Sequence, residues 1–392
     1  MSARPLPPPS SYAAAAVATV IGFGGTVALV VQAGQTMGAT PAQIISMVTA
    51  LCLGIGLGGL MLSWRFKIPV VLAWSTPGAA LLAAYALDLS WPTAVGAFLI
   101  AGGLMVLTGL IPALGRLANR IPTSIASAML AGVLLPFCLK LFSALTGDLW
   151  LGLGLLLVFL LMRRLAPNWT LPVVLVLAFA ILGLGGQISL PSDTTLFGTL
   201  SLTAPQFDWR TAVSLSLPLY LVTLASQNLP GLVVLRAAGY TPPANRLIFW
   251  GGLASSLTAP FGAHGVNLAA ITAALCTGPD AHPDAAKRWQ VGVIYGLFYL
   301  VVALFAAPLA GLFIAMPANA LAMITGLALI APLVGALTSA FQPPEYGQAA
   351  ALTFVATASG LSLFGIGSAF WGLLIGLIGL VILRGFHHAP VK

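Results

Sequence analysis

Charge is scarce in this chain. Only 6% of its 392 residues are Asp, Glu, Lys or Arg, against 59% hydrophobic, and no water-soluble fold of this size could present such a balance on its surface. Acids are scarcer still. Of the seven, Asp88 ends one apolar run, Asp148 begins another and the others lie in loops, so no carboxylate pair is available for general acid and base work. Cysteine is limited to Cys52, Cys138 and Cys276, far apart and without C-x-x-C or Cys/His spacing, which argues for core packing and against a metal or redox centre. With no nucleophile beside a base either, the chain reads as a non-enzyme needing no cofactor and no metal. Basic residues number 15, giving a net charge of +8 and a pI of about 9.8. They are scattered in ones and twos, so they form no nucleic-acid patch and serve instead as topology signals.

What the chain has is a succession of apolar runs, each about 20 residues long, the length that spans a bilayer as a helix. Breaks at Pro, Gly or charge divide it into fourteen crossings, near 12–34, 43–63, 69–88, 92–113, 121–142, 148–162, 170–187, 211–236, 244–259, 263–278, 287–310, 318–338, 347–364 and 367–384. The predicted class is an all-α polytopic membrane protein. Alternating sides puts Arg4, Arg65, Lys67, Arg116, Arg120, Arg163, Arg164, Arg236, Arg246, Lys287, Arg288, Arg384 and Lys392 on one face and only Lys140 and Arg210 on the other. That bias predicts both termini in the cytoplasm. Residues 1–11, with Arg4 and Pro5 to Pro9, lack a cleavable signal pattern and read as a disordered tail.

The two halves resemble each other. Ala39-Thr40-Pro41 follows the first span as Tyr240-Thr241-Pro242 follows the eighth, which pairs Thr26 and Val27 with Gln227 and Asn228, and Gly78 to Ala84 aligns loosely with Gly265 to Ile271. Seven spans per copy is an odd number, so the second copy enters from the opposite face, giving a seven-plus-seven inverted repeat. Spans three and ten are interrupted at their centres, by Ser75-Thr76-Pro77-Gly78 and by Ala263-His264-Gly265-Val266-Asn267. Such breaks are tolerable at membrane depth only where protein or a water-filled cavity covers them, and in pairs they point to a transport site.

In span three, Ile68 to Trp74 has the look of a short strand, followed by a half-helix with Pro77 in its first turn and Ser75 or Thr76 as cap. In span ten the extended part is expected at Leu257 to Gly262, with a helix restarting near Gly265 or Asn267. Two helix N-termini facing one another suit an anion's oxygens, and no Arg or Lys is needed in mid-membrane. Lining groups are expected from Gly22 to Thr26 and from Ser226 to Gly231, with Phe23, Trp74 and Phe261 as the aromatic wall. Gln227 and Asn228 have two readings, substrate contact or interhelical hydrogen bonding. His264, the only histidine at membrane depth, either carries a coupling proton or holds the broken backbone in shape. The Gly54, Gly56, Gly58 and Gly59 cluster reads as close helix packing, since no strand precedes it for a nucleotide loop.

Gly22-Phe23 with Val27-Ala28-Leu29, Ala73-Trp74-Ser75-Thr76-Pro77-Gly78-Ala79-Ala80 and Gly265-Val266-Asn267-Leu268-Ala269-Ala270 resemble the bacterial benzoate/proton symporter family BenE, over essentially the whole chain. The resemblance implies proton-driven uptake of benzoate, or a close aromatic monocarboxylate, across the bacterial inner membrane. It also implies kinship with uracil and xanthine permeases and sulfate-type anion transporters. On that analogy 12–113 and 211–312 form a core, 114–190 and 313–385 a gate, 191–210 a linker and 386–392 a tail, in a fold often arranged as a homodimer. The nucleobase branch typically carries glutamates in spans eight and ten, whereas here the corresponding regions offer Gln227, Asn228, His264 and Asn267, a loss of negative charge that suits an anion. The expected substrate contacts are therefore Phe23, Thr26, Trp74, Ser75, Thr76, Pro77, Gly78, Gln227, Asn228, Phe261, His264, Gly265, Val266 and Asn267. A nucleobase or other small-anion carrier, or an anion channel, is the competing expectation.

Overall fold

The computed structural model describes residues 6–85, 88–113, 122–188, 195–269, 271–342 and 344–386. The tail residues 1–5 and 387–392 and the linker residues 191–194 lie outside that set. The elements are helices α1 (Pro9–Gly24), α2 (Val27–Thr36) and α3 (Pro41–Phe66), strand β1 (Leu72–Trp74), then α4 (Thr76–Ala83), α5 (Trp91–Leu110), α6 (Thr123–Ala144), α7 (Leu149–Leu165) and α8 (Thr170–Leu184). The second half contains α9 (Trp209–Ala237), α10 (Ala244–Thr258), strand β2 (Val266–Leu268), α11 (Ile271–Thr277), α12 (Trp289–Leu304), α13 (Ala306–Ile314), α14 (Ala318–Phe341), α15 (Gly347–Ala358) and α16 (Ser368–Phe386).

Among the described residues seven helices are long and apolar enough to cross a membrane, or eight if α12 and α13, bent by 64°, count as one span. This is a polytopic membrane protein. Fourteen long rods are not seen, because several of the expected runs are shorter helices, α7, α10 and α15 among them, and two are part strand. A strand rises about 3.3 Å per residue against 1.5 Å in a helix, so a broken span needs less helix to cover its depth.

Three long packings organise the bundle: α3 along α12, α5 along α10, and α6 along α14. Replacing each span by the one seven places away exchanges the first two pairs and leaves the third unchanged. Glycine allows the close approach at the α3–α12 crossing. A Cβ on Gly296 would stand 2.7 Å from the Gly56 carbonyl oxygen, and one on Gly56 would stand 2.9 Å from that of Gly296.

Two expectations need correction. The first helix begins at Pro9 rather than after residue 11, with proline in the first turn. Ser11 is buried there and its hydroxyl donates to the Ala281 carbonyl at 2.9 Å. In span ten, 257–262 is not extended: α10 continues to Thr258 and a 3₁₀ turn covers Ala259–Phe261. Gly262, at φ +96°, reverses the chain, and the strand comes later, at Val266–Leu268. The letter match of Gly78 with Gly265 is displaced for the same reason, since Gly78 follows its strand and Gly265 precedes its own.

Candidate functional site

The two interruptions meet as an antiparallel ribbon, Leu72 opposite Leu268, Ala73 opposite Asn267 and Trp74 opposite Val266. Helix α4 starts two residues beyond the Trp74 end and α11 three residues beyond the Leu268 end, so each strand runs into the N-terminus of its own half-helix at opposite ends of the ribbon. A two-stranded ribbon leaves two free edges, which cannot remain unpaired inside an apolar bundle. Side chains pair them. On the β2 edge the Ser255 hydroxyl accepts the Val266 N–H at 2.8 Å, and its Oγ lies 2.9 Å from both the Val266 and Gly251 carbonyl oxygens, which share its one proton. Asn228 Oδ1 accepts the Leu268 N–H at 3.1 Å, and Asn267 Nδ2 donates to the Leu268 carbonyl at 3.1 Å. On the other strand Tyr295 donates to the Leu72 carbonyl at 3.0 Å, and just before it Ser63 bonds both the N–H and the carbonyl of Val70 at 3.0 Å.

Ser75 caps α4: its hydroxyl accepts the Gly78 N–H at 3.0 Å and the Thr223 hydroxyl at 2.8 Å. The tip therefore presents fewer open N–H groups than the sequence implies, since Pro77 has none, although the helix end keeps its partial positive charge. Thr76 is half-buried at the first helical position. Gly78 is a packing position, where a Cβ would come within 2.6 Å of Leu219.

Buried His264 stands beside this cap, its Nε2 3.1 Å from the Ser75 carbonyl and its ring edge-on to Phe98. A carbonyl only accepts, so Nε2 carries the proton. Among the described residues, His264 Nδ1 and Asn267 Oδ1 are buried without a partner. A cavity of about 10 Å³, bounded by Met105, Tyr220, Thr223, Ser255, His264 and Gly265 among others, adjoins the histidine and has room for about one water.

Trp74 donates its indole N–H to the Thr26 hydroxyl at 2.8 Å and packs edge-on against Phe23, with centroids 5.7 Å apart. Tyr299 lies on the same indole at 6.4 Å. Phe261 sits instead in the turn before the strand, its carbonyl held by Ser46 at 2.9 Å. Gln227, half-buried, and Asn228 occupy a π-helical turn, Leu224–Asn228, just ahead of Pro230. Proline lacks an N–H and its ring crowds the preceding turn, which widens. Ser63, Ser255 and Thr223 are absent from the sequence reading, whereas Tyr295, a candidate there for the aromatic wall, holds the Leu72 carbonyl instead. Of these Thr223 had a signal: it lies one turn before Gln227 on the same helix.

Paired broken helices meeting at a ribbon inside a bundle of apolar spans define a polytopic membrane transporter. The family model BenE, described as benzoate membrane transport protein, matches residues 6–382, and the chain belongs to this family of membrane transporters, which are not enzymes. It is 40% identical over 378 residues to the inner membrane protein YdcO of Escherichia coli, covering 96% of each chain. It is 36% identical over 376 residues to the benzoate membrane transport protein of Acinetobacter baylyi, covering 95% of each. Its fold is similar to the transmembrane domain of the cyanobacterial bicarbonate transporter BicA, with TM-score 0.62, 16% identity and 95% of both chains covered. It is also similar to SLC26A9, with TM-score 0.66, 11% identity, and 96% of this chain and 65% of that one covered.

Proposed function

We propose that this protein imports benzoate, or a close aromatic monocarboxylate, together with a proton across the bacterial inner membrane. The observation that carries the reading is His264 at the tip of α4, its Nδ1 unpartnered and its Nε2–H fixed on the Ser75 carbonyl. A proton taken up at Nδ1 gives an imidazolium beside a helix N-terminus, and together they supply the positive field a carboxylate needs where no Lys or Arg among the described residues lines the cavity. Ser75, Thr76, Gly265, Val266 and Asn267 border that position, with Gln227 on the flank, and Phe23, Trp74 and Thr26 form the apolar and aromatic side. One proton with one monoanion makes the cycle electroneutral.

The conserved exchange of helix pairings supports a seven-plus-seven inverted repeat with fourteen crossings. In this reading 12–113 and 211–312 move as a core against a gate of 114–190 and 313–385. The cavity beside His264 is too small for an aromatic ring, so the core must shift to admit one. The Lys67 ammonium lies 3.8 Å over the Trp289 ring and Ser11 reaches Ala281, which supports a shared cytoplasmic face for the N-terminus and these two loops.

The test is uptake of labelled benzoate into proteoliposomes under an inward acid gradient, with uracil, bicarbonate and salicylate as competitors. Accumulation blocked by salicylate alone is expected. Competition by uracil or bicarbonate would assign a different small anion or nucleobase.

A further inference from the structure

We propose that Ser255 and Asn228 are positioning residues that serve as a third strand for the ribbon, fixing β2 and thereby His264 and the α4 tip, rather than contacts that select the transported molecule. This rests on the transport reading above for its functional part, and on hydrogen-bond accounting for its structural part.

In an antiparallel pair, alternate residues of a strand direct their N–H and carbonyl groups to opposite edges. Ala269 donates to the Val71 carbonyl at 2.9 Å, so the residues of β2 facing away from β1 are Val266 and Leu268. All four of their outward groups are accounted for: both of Val266 by Ser255, the N–H of Leu268 by Asn228 and its carbonyl by Asn267. The Asn228 amide is committed at its other end too, with Nδ2 3.6 Å from Met105 Sδ. Asn228 thus holds a strand N–H with its oxygen and a thioether with its nitrogen, a role separate from its neighbour Gln227. Ser63 on α3 makes the same two-way bond to Val70, so each half of the molecule borrows a serine from the preceding helix to finish its strand. Removing the Ser255 hydroxyl frees a buried N–H and carbonyl one residue from Gly265 and two from His264, and the histidine loses its fixed relation to Ser75.

Two measurements on purified protein test this. The first is hydrogen–deuterium exchange of the segment 262–270 in the parent, Ser255→Ala, Ser255→Thr and Asn228→Ala. Exchange at Val266 is expected to quicken by about tenfold in Ser255→Ala, as a lost buried bond implies, and to return within about threefold in Ser255→Thr, which keeps the hydroxyl. Unchanged exchange would overturn the proposal. The second is KM for a series of substituted benzoates. A positioning residue raises every KM by one common factor, about tenfold, and preserves their rank order, whereas a residue touching the ring or carboxylate reorders them. Reordering in Ser255→Ala or Asn228→Ala would overturn the proposal, as would KM values equal to the parent's. If Ser255→Ala does not fold, Ser255→Cys, a weaker hydrogen-bonding group of similar size, is expected to show the same two effects at smaller amplitude, and their absence would overturn it. A parent that moves no aromatic carboxylate would defeat the functional reading, while the exchange data would still decide whether these side chains hold the ribbon.

Discussion

His264 Nε2 and the Ser75 carbonyl oxygen, 189 residues apart in sequence, lie 3.1 Å from each other. This contact joins the two interrupted spans at the point where α4 begins. It fixes the tautomer of the histidine and leaves Nδ1 as the atom that can take a proton. Substitution of His264 by Gln keeps a donor for the Ser75 carbonyl and removes the titratable site. Benzoate uptake by this variant is expected to lose the parent's pH dependence while equilibrium binding stays measurable. A variant that titrates like the parent would leave His264 as a structural group only.

The indole of Trp74 and the hydroxyl of Thr26 bind the ribbon to the break between α1 and α2. Trp74→Phe and Thr26→Val each remove one partner and should cost about 1 kcal/mol, read as a lowered melting temperature. Because both break the same bond, the double variant should be little worse than the poorer single one.

At the α3–α12 crossing the two backbones touch through Gly56 and Gly296. Gly296→Val forces a side chain against the Gly56 carbonyl and the Leu60 N–H, at a cost of about 1–3 kcal/mol. The fraction of protein that remains monodisperse after heating checks it. Gly103, where a Cβ would meet nothing within 4 Å, is the control, and Gly103→Ala should be tolerated.

Asp208 precedes α9 and its carboxylate accepts both the N–H and the hydroxyl of Thr211 at 2.8 Å. The Thr211 N–H, foremost, and its hydroxyl hold this carboxyl below the usual range. A carboxyl lowered on folding contributes stability above its unfolded value, about 3.9, and loses it as pH falls through the folded one. Asp208→Ala should therefore melt below the parent at neutral pH, and the gap should close in acid.

Much of the site was legible because its signals break a background. Pro77 and Gly78, or His264 and Asn267, stand out in apolar runs, and the breaks that they mark do meet. The clamps were not legible. Ser255, Ser256 and Thr258 all bond the carbonyl four residues back in their own helix, as hydroxyls in apolar helices commonly do. Nothing in the letters says that Ser255 alone also reaches a strand. The position of β2 was missed because Val-Asn-Leu is too short and too mixed to signal a strand, whereas Pro260 and Gly262 mark a turn that also breaks a helix. Trp74 and Phe23 come together as the sequence implied, but Phe261, adjacent by the same argument, is carried off by the Gly262 turn.

The most direct test of the central claim is calorimetric titration of benzoate into the purified protein near neutral pH, in buffers of different ionisation enthalpy, which counts the protons taken up on binding. Uptake of about one proton per benzoate is expected when His264 starts neutral, and none in His264→Gln. Benzoate binding with no proton uptake in the parent, or with undiminished uptake in His264→Gln, would contradict it.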